Sequence, residues 1–212
     1  MFNIFKKLIL FISIITICLL VYFSTFGIKT TQFNDSIKNE VKKLNKKLNV
    51  DFKEIYLKLN LFKFSIKLNI DNSNIKFRDR VIKISNISSD VSIKSLIKKN
   101  YLVRNIKINS EKNEIKNLIN LYRLFKDNVQ ILILEKIVSS GEFEGDFKFN
   151  LDDDGNIKNN FLINGDVTNL NLKFLNDFVI KDLNFRFNIN NEKQEFENIK
   201  LIIENNIFYS NK

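Results

Sequence analysis

The sequence predicts a mainly β protein with a few helices and one N-terminal membrane helix. Three patterns carry this prediction. An uncharged apolar run near the N-terminus is long enough to cross a bilayer. Beyond residue 50, most segments alternate apolar and polar side chains with a period of two, which is typical of half-buried strands. Two other stretches repeat apolar residues at intervals of three and four, which indicates amphipathic helices.

Composition excludes most enzyme chemistry. The 212 residues include no His, Pro or Trp, and the single Cys, Cys18, lies within the apolar run. Without His the chain has no Ser-His or Cys-His nucleophile pair and no imidazole metal ligand. The 24 acidic residues are scattered, so no catalytic carboxylate pair stands out. We therefore predict no catalytic residue, no metal and no cofactor.

The apolar run spans Leu8–Ile28, 21 residues without a charge. At about 1.5 Å per residue it covers roughly 30 Å, the thickness of a bilayer's hydrocarbon core. We predict a transmembrane helix at 8–28 after a cytoplasmic flank at 1–7, because Lys6 and Lys7 favour an N-terminus that stays inside. A cleaved signal peptide is the alternative, although the run is longer than usual and no small-residue cleavage motif follows it.

Residues 29–48 predict an amphipathic, basic helix. Its apolar face comprises Phe33, Ile37, Val41, Leu44 and Leu48. The other face carries Lys38, Lys42, Lys43, Lys46 and Lys47. Such a helix lies on anionic headgroups or packs its apolar face on the sheet that follows, and the sequence leaves both readings open.

Residues 49–212 predict a β-rich domain. In its first half the apolar positions alternate along Ile55–Leu61 and Phe64–Ile70, and the change of parity between these runs requires a turn or a bulge. Asp71–Asn74 predicts the next turn. Further strand-like runs are Ile75–Phe77 and Val81–Ile93.

A helical insert at about 113–126 interrupts the strands. Its apolar face comprises Ile115, Leu118, Ile119, Tyr122 and Phe125, and we expect it to cap an open end of the sheet. A shorter helical piece is predicted at Ser95–Lys99.

The second half returns to long strands. Phe143–Leu151 alternates and leads into Asp152–Asn156, a hairpin turn whose acidic residues we interpret as solvated rather than metal-binding. The returning strand, Phe161–Val167, changes parity near Thr168 and Asn169. Later strand-like runs are Leu170–Phe174, Leu183–Ile189, Ile199–Ile203 and Ile207–Tyr209.

The chain resembles the N-terminal region of the AsmA-like superfamily, which includes AsmA and TamB of Gram-negative envelopes. The resemblance rests on the order of anchor, helix and alternating strands, and on four segments. They are Asn49–Ile55, Gly141–Phe147, Asp154–Ile157 and Ile163–Leu172, of which the last three are similar to that family's glycine-containing hairpins and returns.

The resemblance implies an inner-membrane, single-pass protein whose N-terminus is cytoplasmic and whose remaining chain is periplasmic. It also implies a long antiparallel meander sheet curved into an open groove or half-pipe, with amphipathic helices covering its membrane-proximal end. Such a groove handles phospholipid in transport to, or assembly of, the outer membrane. Members are usually several times longer, so a fragment, a split gene or a short relative is expected.

The residues expected to face lipid are the apolar ones on alternating strand positions. They are Phe64, Ile66, Leu68, Phe147, Phe149, Ile163, Phe185 and Phe187. The expected partners are the inner membrane, phospholipid and an envelope protein that docks through a sheet edge. The alternative function is a membrane-anchored scaffold with a closed core and no lipid cargo.

Charge divides the chain. Residues 1–126 hold 25 basic and 9 acidic side chains, net +16, whereas residues 127–212 are net −6. The basic half therefore adjoins the predicted membrane and is attracted to anionic headgroups. The lysines follow strand faces without a recognition motif, so nucleic acid is not an expected partner.

Overall fold

A computed structural model describes residues 2–94, 103–152, 158, 160–174, 178–204 and 206–210. Within these residues one antiparallel sheet contains 12 strands, and 4 helices accompany it. The helices are α1 (Phe2–Thr25), α2 (Asn34–Leu44), α3 (Ile115–Arg123) and α4 (Val129–Ile137). The prediction of a mainly β chain with an N-terminal apolar helix is confirmed.

The strands form a meander, in which most strands pair with the next one along the chain. They are β1 (Ile28–Thr30), β2 (Leu48–Asp51), β3 (Ile55–Asn60), β4 (Ser65–Phe77), β5 (Arg80–Ser92), β6 (Val103–Ser110), β7 (Asn113–Glu114), β8 (Val138–Asn150), β9 (Leu162–Lys173), β10 (Val179–Asn190), β11 (Gln194–Ile203) and β12 (Asn206–Ser210). β1 pairs with β3 at one edge, β2 pairs with β4, and the short β7 pairs with β8. The predicted helical piece at Ser95–Lys99 and most of the turn at Asp152–Asn156 lie outside the described residues.

The predicted turn at Asp71–Asn74 is wrong, because β4 runs through these residues without losing its pairing with β5. Asn72 adopts a left-handed backbone, with φ of 50°, which Asn tolerates better than most residues. This single residue shifts the parity of β4, so that Ile70 and Ser73 are both buried. The chain turns instead at Arg78 and Asp79, where β4 ends.

The predicted change of parity in the return strand is confirmed as a bulge. Asn169 has a φ of 52°, and the pairing of β9 with β10 shifts between Val167 and Leu170. Both of these apolar residues are buried as a result. The parity change near Leu61 is likewise confirmed as the turn between β3 and β4.

The helices contribute apolar side chains to three core clusters on one face of the sheet. From α2, Ile37 and Val41 pack beside β2 and β4. From α3, which lies within the predicted insert at 113–126, Ile119 packs against Phe143 and Val138. The helix α4 was not predicted, because its central run, Ile131–Leu134, is continuously apolar and has no period that distinguishes a helix from a buried strand.

The anchor and the packed helices meet opposite ends of the strands. As the chain leaves α1, Ile28 pairs with Leu57 and Thr30 pairs with Ile55, so α1 arrives from the end where β3 turns into β4. The helix side chains pack around residues such as Phe77 and Val138, toward the other end. The expectation that helices cover the membrane-proximal end is therefore not confirmed.

Candidate functional site

One row of apolar residues crosses the sheet and divides its apolar face. Each member lies directly opposite the next on the neighbouring strand, and such cross-strand pairs contact one another. The row consists of Ile70, Ile87, Ile108, Phe147, Ile163 and Ile189, on β4, β5, β6, β8, β9 and β10.

On the side of this row away from α1, the apolar face is covered. Its residues are buried, for example Phe77 at 2% exposed and Val138 at 2%. Gly145 and Gly165 lie opposite each other there, and the ring of Phe143 covers both. This half of the sheet packs as an ordinary protein core.

On the side toward α1, the apolar face is open. We define the open strip as six half-buried residues that belong to none of the three core clusters. They are Leu59, Ile66, Val91, Val103, Ile106 and Phe149. These residues lie on five neighbouring strands, β3 to β6 and β8, and so extend about 19 Å across the sheet.

The predicted lipid-facing residues fall in five places. Ile66 and Phe149 belong to the open strip, and Leu68 adjoins it where it packs against the cluster around Ile55. Phe147 and Ile163 lie in the dividing row. Phe185 and Phe187 belong to the covered core, where Phe187 stacks on Phe143 at 5.9 Å between ring centroids. Phe64 lies in the turn before β4, is 73% exposed and has a φ of 47°.

Four strip residues were not among the sequence candidates, namely Leu59, Val91, Val103 and Ile106. Leu59 and Val91 lie in predicted strands but were not chosen. The other two lie on β6, whose alternation of Ile106, Ile108 and Ser110 on one face could have identified it as a strand.

The opposite face of the sheet is polar. Asp166 and Arg186 form an exposed salt bridge at 3.0 Å, and Asn109 bonds to Asp146 on the neighbouring strand. Among the residues that the structure describes, no group of three acidic or Cys side chains is arranged to hold a metal ion.

Polar contacts fix the junction between α1 and the sheet. Gly27 has a φ of 64°, and a Cβ there would meet the Leu57 carbonyl oxygen at 2.5 Å. The Tyr56 hydroxyl donates a hydrogen bond to the Phe26 carbonyl. Lys29 Nζ lies 2.6 Å from Glu54 Oε1, and this hydrogen-bonded carboxylate raises the pKa of Lys29. The end of α1 is thereby held against β3.

The strand β2 is held to β4 by a second charged contact. Lys76 Nζ donates to Asp51 Oδ2 at 2.8 Å, which lowers the pKa of the Asp51 carboxyl. Both side chains are about half exposed, so the contact contributes less than about 1 kcal/mol of stability. Burial of Leu48 and Val50 in the core is the stronger attachment.

The helix α1 has the length and composition of a membrane span. Its residues Ile4–Thr25, 22 in all, are strongly apolar on average, with Lys6 and Lys7 as the charged exceptions near the start, and the span is not buried against the rest of the chain. A signal sequence near an N-terminus meets the same criteria.

Fold and site together define a mainly β protein with an N-terminal apolar helix and a sheet whose apolar face is only partly covered. Comparisons of the chain with protein-family models, curated proteins and solved structures gave no match. The resemblance to the AsmA-like superfamily therefore stays a prediction.

Proposed function

We propose that this chain is an inner-membrane-anchored, AsmA-like protein of the periplasm that handles phospholipid on its apolar sheet face. In this proposal α1 stays in the membrane as an anchor, and acyl chains lie on the open strip. The role served is lipid transport to the outer membrane, or assembly of that membrane. The single observation that carries the proposal is the open strip, which continues the core's apolar face beyond its helical cover.

The physical chemistry of the strip favours an apolar occupant. Six apolar side chains, including Phe149 and Ile106, remain half exposed on neighbouring strands. Complete burial of a side chain of this size contributes about 1.5–3 kcal/mol, and the part of that gain that corresponds to the area still exposed is left for a ligand. Contiguous exposed apolar patches of this kind mark binding surfaces.

The position of the strip favours a membrane lipid as that occupant. Leu57, which pairs with Ile28 directly after α1, is the β3 neighbour of Leu59 in the strip. We propose that the sheet curves into a groove whose open end faces the bilayer, while α2, α3 and α4 close the far end. Lipid leaving the membrane would then meet apolar side chains immediately.

The proposal predicts that Ile106→Asp reduces the amount of phospholipid that copurifies with the chain. Ile106 projects onto the open strip, and a buried carboxylate there would be unfavourable beside acyl chains. We expect at least a tenfold loss of bound lipid in native mass spectrometry of the detergent-extracted full chain, equivalent to about 1.4 kcal/mol.

Lys107→Asp is the matched control. Lys107 is the adjacent residue and lies on the polar face opposite Lys148, so the same new side chain there gains an opposite charge as its cross-strand neighbour. Circular dichroism establishes that both variants retain the sheet. Equal lipid content in the two folded variants, or no lipid in the parent chain, would overturn the proposal.

One observation favours the scaffold alternative. The edge strand β12 is exposed along its length, with Ile207, Phe208 and Tyr209 at 52%, 51% and 68%. Such an edge can accept a strand from a partner protein. A scaffold that works only through this edge would carry no phospholipid, which the same mass measurement would reveal.

A further inference from the structure

The turn between β3 and β4 presents a group of exposed apolar side chains. We call Leu61–Phe64 the apolar tip. Phe62 is 99% exposed, Phe64 is 73% exposed and Leu61 is 37% exposed. Large exposed apolar side chains occur singly on most proteins, but three within four residues mark a contact surface.

Hydrogen bonds and the backbone conformation of the tip direct these side chains away from the sheet. The Asn60 side-chain oxygen accepts a hydrogen bond from the Lys63 backbone at 3.0 Å, and the Phe64 carbonyl accepts one from Ile93 at 3.1 Å. Phe64 adopts a left-handed backbone, with φ of 47°, which is rare for a bulky residue. Its ring consequently projects from the end of the sheet.

The tip lies on the side of the sheet from which α1 arrives. Because β1 and β3 are antiparallel and Ile28 pairs with Leu57, the part of β3 beyond Leu57 runs toward α1. Residues of α1 contact β3 directly. At about 3.3 Å per strand residue, β3 extends about 10 Å from Leu57 to Asn60, and the turn carries Phe62 beyond that, farther than the thickness of one headgroup layer.

The charge around the tip matches an anionic membrane surface. Lys63 is part of the tip, and Lys58 pairs with Lys67 on the adjoining strands. Aromatic side chains beside lysines are the combination found where proteins enter the interface between headgroups and acyl chains.

We propose that the apolar tip inserts into the headgroup region of the same bilayer that holds α1. This inference rests on the proposed function in one respect, namely that α1 stays in the membrane as an anchor. The tip is then a second attachment, and with the fixed junction at Gly27 it sets the tilt of the sheet. That tilt directs the open strip toward the bilayer.

A fluorescence measurement tests the insertion on the full chain in phosphatidylethanolamine and phosphatidylglycerol vesicles. A Cys18→Ser, Phe62→Cys chain carries an environment-sensitive label at the tip. A Cys18→Ser, Asp79→Cys chain carries it at the opposite end of β4, about 40 Å away. The parent chain labelled at Cys18 reports on the bilayer interior, because this residue lies in α1.

We expect the label at Phe62 to shift to shorter wavelength and to lose most of its fluorescence to nitroxide-bearing lipids, while the label at Asp79 stays unquenched. Quenching at Cys18 with an unquenched label at Phe62 would overturn the insertion and leave the anchor and the open strip untouched. An unquenched Cys18 label would overturn the anchor and the insertion together. Copurifying lipid is measured separately, so failure of the lipid proposal is distinguishable from either result.

Discussion

Replacement of Phe143 by Ala is expected to destabilise the domain by about 3–5 kcal/mol. Phe143 is 7% exposed, and its ring contacts Phe187 at 5.9 Å and Phe147 at 5.8 Å between centroids. It also belongs to the core cluster to which Ile119 of α3 contributes. Since domains are stable by only about 5–15 kcal/mol, this loss is a large fraction of the total.

The matched control is Phe149→Ala. Phe149 lies six residues farther along the same strand, and its side chain is on the same face of the sheet. Phe149 stacks on Phe147 but lies in the open strip, so its loss is expected to cost only about 1 kcal/mol in the absence of lipid. Urea unfolding of the full chain in micelles, followed by circular dichroism of the sheet, measures both. Equal losses would contradict the division of the apolar face into a covered and an open part.

The substitution Gly165→Val is the second change with a large expected effect. A Cβ at Gly165 would lie 2.8 Å from the Glu144 carbonyl oxygen and 2.8 Å from the ring of Phe187. The first of these atoms belongs to the backbone of the neighbouring strand, which cannot move without breaking the pairing of β8 with β9. We expect a loss of about 3 kcal/mol, the upper part of the range for overpacking.

Asp166→Ala serves as the control for Gly165→Val. Asp166 is the next residue on β9, and it projects from the opposite face into an exposed salt bridge with Arg186. Removing such a contact costs about 1 kcal/mol or less. A thermal midpoint for Gly165→Val that is no lower than that of Asp166→Ala would contradict the close packing of rings over the glycine pair.

Alternation was sufficient to predict most of the strands, because a one-sided sheet imposes a period of two on its side chains. It also predicted the changes of parity near Leu61 and Asn169, which the structure shows to be a turn and a bulge. The same reasoning failed at Asp71–Asn74. Polar residues indicate a turn there, but Asn72 accommodates a left-handed backbone inside a continuous strand.

The candidate site could be predicted only in part. The period of two identifies which residues share a face, so Ile66 and Phe149 were placed on the apolar side. It does not reveal which part of that face a helix will cover, because the cover depends on contacts between distant segments. Phe187 was therefore expected to face lipid, whereas the structure places it in the core beside Phe143.

The covered and open parts of the apolar face have different roles. The packed half supplies stability through Phe143 and its neighbours, and the open half leaves apolar surface for a ligand next to α1. The apolar tip, Leu61–Phe64, lies at that same end. In the proposed function, stability and lipid contact therefore reside at opposite ends of the same strands.

Site-specific photocrosslinking tests this account most directly. A benzophenone amino acid replaces Phe149 on the open strip or its neighbour Lys148 on the polar face, in the full chain within native membranes. We expect phospholipid to be captured from position 149 and not from position 148. Equal capture at the two positions, or none from position 149, would contradict the claim that acyl chains lie on the open strip.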